Sequence, residues 1–367
     1  MPAPIRVCRA ETSPSYDRVV RRLALGLAIS ILVACGCAAT PSPSAARGTA
    51  DPARAARFGV AGVIPPNADH AAAADYETLY RSFAETGGLV GVYTNWSDAV
   101  TNEGKIPKVV DDMFAAGKRY GFTPLVALGV THDAVSTVTA TISWDNAEQR
   151  RRFINVAVAV AKTYQPAYLA LGLEVNRLAR DDPASFEGFV SAYREAYAAI
   201  KAASPSTAVF TVFQLERLRG AGYVSTGTRA SPARWDLLDR FSGALDVVGF
   251  TTYPFLDYES PAAVPPDYYS SIAARVKAPI AFTEIGWPSA PLAAAPASGF
   301  GGTPEEQASF VKRFFDLTAT LKPAFSLWSF PNDPGPAAAT FASVGLRQRD
   351  GTPKPALAAW REGIAAP

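Results

Sequence analysis

The stretch Pro279-Ile280-Ala281-Phe282-Thr283-Glu284-Ile285-Gly286-Trp287-Pro288-Ser289 is an apolar, β-prone run that meets a carboxylate and then breaks at Gly-Trp-Pro. This pattern predicts a buried strand over 279–282 with Glu284 at its C-terminal edge. A desolvated carboxylate has to be hydrogen-bonded or paired, whereas an exposed loop carries the same charge at little cost. Glu284 is therefore either half of a structural ion pair or a catalytic acid.

Working outward, the same kind of run recurs at 58–64, 88–93, 124–130, 168–173, 208–213, 244–250 and 324–328. Longer segments with helical patterning lie between them, at 72–86, 106–120, 146–164, 183–203, 232–240, 266–276 and 303–321, with an eighth at 355–362. Several open on Pro or a small polar residue, as helix starts do. Strict alternation of strand and helix predicts an α/β fold with a parallel sheet, closed as a single (β/α)8 barrel over 58–367. An open doubly wound sheet is the competing topology. It is disfavoured because Gly59-Val60-Ala61-Gly62 runs into Pro65-Pro66 and not into a glycine-rich phosphate loop.

Charge narrows the function. Thirty-five Lys and Arg against thirty-three Asp and Glu leave a net charge of +2, no field for gripping a nucleic-acid backbone. All three cysteines, Cys8, Cys35 and Cys37, precede the barrel, and the only histidines are His70 and His132. A thiol nucleophile, a zinc site or a serine-histidine triad in the barrel is thereby disfavoured. Carboxylates are left to do acid–base chemistry.

The N-terminus reads as an address. Arg18, Arg21 and Arg22 precede an apolar run at 23–34 that is shorter than the ~20 residues of a membrane-spanning helix. Residues 1–34 are read as a signal peptide. Leu32-Val33-Ala34-Cys35 resembles a bacterial lipobox, which makes Cys35 the expected lipidation site. Residues 35–57, rich in Ala, Pro and Ser, have the composition of a flexible tether. The expected product is a monomeric, membrane-anchored extracytoplasmic lipoprotein.

In a barrel the active site gathers at the C-terminal ends of the strands. Glu174 follows the fourth run as Glu284 follows the seventh, so two carboxylates emerge on one face. Glycoside hydrolysis uses such a pair: one acid protonates the leaving oxygen, and the other attacks the anomeric carbon or activates water.

These two glutamates, with Phe282-Thr283-Glu284-Ile285-Gly286-Trp287-Pro288-Ser289 and, more loosely, Thr252-Tyr253-Pro254, resemble the clan A glycoside hydrolases. The resemblance is nearest to the family 53 endo-β-1,4-galactanases and the family 17 β-1,3-glucanases, all TIM barrels. It implies a retaining mechanism on a β-linked carbohydrate, with Glu284 as nucleophile, Glu174 as acid and then base, and no metal or organic cofactor in the chemistry. It also implies Tyr253 beside the nucleophile, the alternative being a packed aromatic. One departure stands out, because the clan places Asn immediately before the acid/base Glu and this chain has Leu173. Asn176 is the nearest candidate to take over that contact with the sugar.

The remaining candidates for substrate binding are each open to a structural reading. Trp328, ending the eighth run, either stacks on a sugar ring or fills the core. Gln214 after the fifth run offers an amide to hydroxyls or caps backbone. His132 after the third, and Asn95 with Trp96 after the second, would line the cleft. A rival function of another class is a glycan-binding surface lipoprotein on a barrel with weak or lost catalysis, which the Leu173 departure favours.

Overall fold

The computed structural model describes residues 51–94, 103–129, 143–223, 227, 229–292 and 300–366. Cys35 and the signal peptide lie outside the described residues, as do Asn95, Trp96 and His132. Among the described residues no helix is long and apolar enough to cross a membrane.

Eight parallel strands close in sequence order into one barrel: β1 Phe58–Val60, β2 Leu89–Thr94, β3 Thr123–Leu128, β4 Tyr168–Leu171, β5 Ala208–Gln214, β6 Val247–Thr252, β7 Ile280–Ile285 and β8 Ser326–Trp328. Closure is made by β1 against β8, with Gly59 opposite Leu327 and Val60 opposite Trp328. The strands read as continuous apolar runs because both of their faces are covered. One face packs a lumen of small and aromatic side chains, Ala127, Ala170, Ala281, Phe210, Phe325 and Leu327 among them. The other joins the larger cluster under the helices, where Phe282 meets Tyr269 and Phe314 at 5.1 and 5.3 Å.

The longer helices start where local chemistry predicts. Thr303 and Glu306 form a reciprocal capping box at the start of Pro304–Thr318, Asn146 accepts from the Glu148 and Gln149 amides, and Asp182 accepts from Ser185 N at the start of Pro183–Ala203. Two expected helices are much shorter. The segment at 232–240 keeps one turn, Asp236–Asp239, and the one at 266–276 becomes a 3-10 stretch, Ser270–Ala274. Tyr268 and Tyr269, which precede that stretch, are fully anchored in the interior, so the chain follows their side chains and not an amphipathic helical face. A helix that the sequence pattern does not announce, Val175–Asp181, follows Glu174 directly.

Candidate active site

Glu284 owes its position to an irregularity in β7. Ala281 lines the lumen, and Phe282, opposite Phe250, faces the helices. Strict alternation would then turn Glu284 outward with Phe282. Between the pairs Phe250–Phe282 and Thr251–Glu284 the register slips, however, leaving Thr283 as one extra residue on β7, and the same slip shows against β8. A bulge of this kind re-aims the following side chain. Glu284 is thereby placed beside Thr251 and half-buried at the mouth. Tyr93 reaches over from β2 to donate to the freed Thr283 carbonyl at 2.7 Å, and Thr283 Oγ1 lies 3.2 Å from the Phe250 carbonyl.

Glu174 is aimed by its own backbone. It adopts the left-handed region (φ 49°, ψ 43°) as the residue before helix Val175–Asp181. Two residues earlier Gly172 has φ 89°, and a Cβ there would stand 2.5 Å from Val175 Cγ1. Only glycine fits that turn. Left-handed backbone at a residue other than glycine costs of order 1–3 kcal/mol.

Thr251 connects the two acids. It stands opposite Glu284 in the sheet, and its Oγ1 donates to Glu174 Oε1 at 2.8 Å. Tyr253, two residues on, donates its phenol to Glu284 Oε2. Ser329 Oγ sits 3.0 Å from the Tyr253 hydroxyl oxygen and 2.9 Å from the Ile285 carbonyl, and Phe341 packs edge-on against the tyrosine ring at 4.8 Å. Tyr253 is 3% exposed, so the phenol is held from several sides while its carboxylate partner stays open to solvent.

No protein-family model matches the chain, and no curated protein matches it. Its fold does have similar solved structures. A family 39 glycoside hydrolase from the gut symbiont Bacteroides cellulosilyticus WH2 is 19% identical at TM-score 0.57, covering 85% of this chain and 64% of that one. An exo-β-1,4-mannosidase from Opitutaceae bacterium strain TAV5 is 16% identical at TM-score 0.58, covering 80% of this chain and 55% of that one. A family 5 glycoside hydrolase from Streptomyces cattleya, in complex with Manβ1-4GlcNAc, is 16% identical at TM-score 0.57 over 78% of this chain and 73% of its own. The chain shares with these proteins a closed barrel of eight parallel strands. The chain spans less than two thirds of the length of the first two.

The other expected binding residues fare differently. Trp328 does not reach the mouth. It is fully buried on the helix side of β8, 5.9 Å from Trp360, with its indole N–H donating to the Val344 carbonyl at 2.7 Å. The reason is strand parity, since Leu327 takes the lumen position and its neighbour must face the other way. Asn176 is 6% exposed, and its amide pairs with the backbone of Gln214 in both senses, donating to the carbonyl at 2.8 Å and accepting from the N–H at 2.9 Å. It clamps helix Val175–Asp181 to β5, which contradicts the expected sugar contact. Gln214 is 3% exposed; its oxygen accepts from Arg217 N at 2.6 Å and the Tyr223 hydroxyl at 2.7 Å, and its nitrogen donates to Glu216 at 2.6 Å. Leu173, where the clan has Asn, packs on the lumen cluster and is half-buried.

Sequence reasoning missed Thr251, Ser329 and Glu216. The first two carried no signal, being ordinary hydroxyls. Glu216 carried the same one as Glu174 and Glu284, a carboxylate at or just past the end of a strand, here β5. Burial separates it from them: it has no exposed surface at all. Desolvation pushes its carboxyl above the usual range, and hydrogen bonds from Tyr268, Thr252 and the Tyr253 amide work against that rise. Among the described residues no three His, Cys, Asp or Glu side chains are grouped to hold a metal ion.

Proposed function

We propose that this protein is a retaining glycoside hydrolase that cleaves β-linked poly- or oligosaccharides outside the cytoplasm. Glu284 attacks the anomeric carbon while Glu174 protonates the departing glycosidic oxygen, giving a glycosyl-enzyme. Glu174, now a carboxylate, takes a proton from water, which displaces Glu284 and releases the sugar. Tyr253 donates to Glu284 and so favours its ionised, nucleophilic form.

The observation that carries this reading is Thr251, which pairs with Glu284 along the sheet and hydrogen-bonds Glu174 through its hydroxyl. Two half-buried carboxylates flanking a single residue suit the short separation of about 5 Å that retention requires. The test is a screen of the purified domain, residues 58–367, on β-mannans, galactans, β-glucans and aryl β-glycosides, with proton NMR of the first-formed anomer. Hydrolysis with retained configuration, lost in Glu284→Gln, is expected. An inverted product, or a variant with undiminished rate, overturns the assignment.

One observation favours a second reading, that of a glycan-binding barrel with weak catalysis. Leu173 presents an apolar side chain where an amide is expected, and Asn176 is engaged elsewhere. Measurable affinity for a glycan without turnover in the same screen would favour it. The anchoring part of the proposal rests on Leu32-Val33-Ala34-Cys35. Fatty-acid labelling that disappears in Cys35→Ala supports it, and labelling that persists removes it.

A further inference from the structure

Glu216 is a strand-end carboxylate for which the double displacement has no step. It is fully buried, so it does not touch a substrate at the mouth. Four donors converge on it. Gln214 Nε2 reaches Oε2 at 2.6 Å, while Oε1 takes Thr252 Oγ1 at 2.8 Å, Tyr253 N at 2.9 Å and the Tyr268 hydroxyl at 2.7 Å. Two of these four belong to the residues where β6 ends, and one is the amide of the tyrosine whose phenol donates to Glu284.

We infer that Glu216 is a positioning residue that fixes the β6 exit so that the Tyr253 phenol stays on Glu284. The path is short and continuous: the Glu216 carboxylate holds the Tyr253 backbone, and the Tyr253 ring carries its hydroxyl to the mouth. Tyr253 itself sits at φ −139°, ψ 70° between the strand and a 3-10 turn over Pro254–Leu256, a junction that regular sheet pairing does not secure. Proline at 254 has no amide hydrogen, so the Tyr253 amide that Glu216 accepts is the last backbone donor before the turn.

The carboxylate is the group the network asks for. Three donors share one oxygen, an arrangement suited to an anion, and the fourth donor cannot turn round, because the Gln214 oxygen is already committed to Arg217 N and Tyr223. An amide at 216 would set N–H₂ against N–H₂ or against the cluster around Oε1. Other groups could fill the space but not answer all four donors.

The kinetic arm of the test rests on the proposed role of Glu284, and the spectroscopic arm does not. With ¹³C-carboxyl-labelled glutamate in the barrel, the Glu284 resonance is identified by its absence in Glu284→Gln, and its titration is followed in wild type, Glu216→Gln, Tyr253→Phe and the double variant. Loss of a donor to a carboxylate raises its midpoint. Glu216→Gln is expected to move the Glu284 midpoint upward in the same direction as Tyr253→Phe, with no further movement in the double variant. An unmoved midpoint in a Glu216→Gln protein with native near-ultraviolet circular dichroism overturns the proposal. Should Glu216→Gln not fold, Glu216→Asp keeps the charge while withdrawing it from Tyr253 N, and the same shift or its absence decides. In turnover, kcat is expected to fall about tenfold with KM within about twofold; a rise in KM with kcat unchanged contradicts positioning. If no glycoside is hydrolysed by the wild type, the functional reading fails while the titration still decides the role of Glu216.

Discussion

The two ends of the barrel hold carboxylates in opposite ways. At the N-terminal end Asp246, just before β6, accepts from Val209 N at 2.9 Å, the Tyr197 hydroxyl at 2.9 Å and Lys201 Nζ at 3.0 Å. The lysine also donates to the Thr207 carbonyl at 2.9 Å, so charge and lone pairs are matched locally. At the C-terminal end Glu174 and Glu284 are met by the hydroxyls of Thr251 and Tyr253 and stay half-buried, facing the mouth. Lys201 partly neutralises Asp246 and fixes it in place, whereas the Thr251 and Tyr253 hydroxyls orient the two acids at the mouth. The contrast follows the division of labour in such barrels, with chemistry at the strand C-termini and stability at the opposite face.

Replacing Glu174 is the hardest blow to the mouth side of that contrast. General acid–base assistance contributes roughly 10²–10⁴-fold, so Glu174→Ala should lose about that much on a glycoside with a poor leaving group. On an activated aryl glycoside the loss should shrink, and azide should restore turnover by entering the space left by the carboxylate. Absence of rescue removes Glu174 from the acid/base role.

Tyr253→Phe should have a smaller effect. A hydrogen bond to a charged group is worth about 1.5–3 kcal/mol, or roughly ten- to a hundredfold in kcat/KM. The acid limb of the pH–rate profile should move up in pH, because an acid deprived of a donor holds its proton longer. Thr251→Val, which removes only the hydroxyl to Glu174, should cost less in rate than Tyr253→Phe and should move the basic limb up for the same reason. If both variants shift the same limb, the assignment of one acid to each hydroxyl is wrong.

Much of the fold was legible in the sequence because eight apolar runs alternated with helical segments, and a closed parallel sheet buries every such run on both sides. Glu174 and Glu284 were singled out because a charge at the end of an apolar strand is expensive, and the structure places both beside Thr251. What stayed hidden was orientation. Ser326-Leu327-Trp328 reads as three buried residues, and nothing in it says which of the two large side chains faces the lumen; Leu327 does. The bulge at Thr283 is likewise invisible, since its support is a tyrosine hydroxyl from β2 and not a local turn residue. Asn176 and Gln214 were placed by their strand ends at the right height, yet they bind each other's surroundings, a long-range pairing that no spacing encodes. Glu216 met the same criterion as the two mouth acids and differs from them only in burial, which the sequence does not print.

The mildest test on the rate, and the sharpest on the comparison, is Asp246→Asn. Burial alone would raise the Asp246 carboxyl, but the hydrogen bonds from Val209 N, Lys201 and Tyr197 outweigh it and hold the group below the ordinary carboxylate range. A depressed folded-state value means that the native protein binds the proton less readily than the unfolded chain. The stabilisation is therefore complete above the unfolded value of about 3.9 and is lost as pH falls through the lower folded one. At neutral pH the variant should be less stable by about 1–3 kcal/mol in chemical denaturation, with Lys201 left without its anion. The gap between wild type and variant should close as the pH is taken below about 4. Throughout, kcat should stay that of the wild type, because Asp246 stands a strand's length from the mouth. A variant that kept its stability and lost its rate would show the two ends of the barrel to be coupled, and the separation of stabilising from catalytic carboxylates would have to be given up.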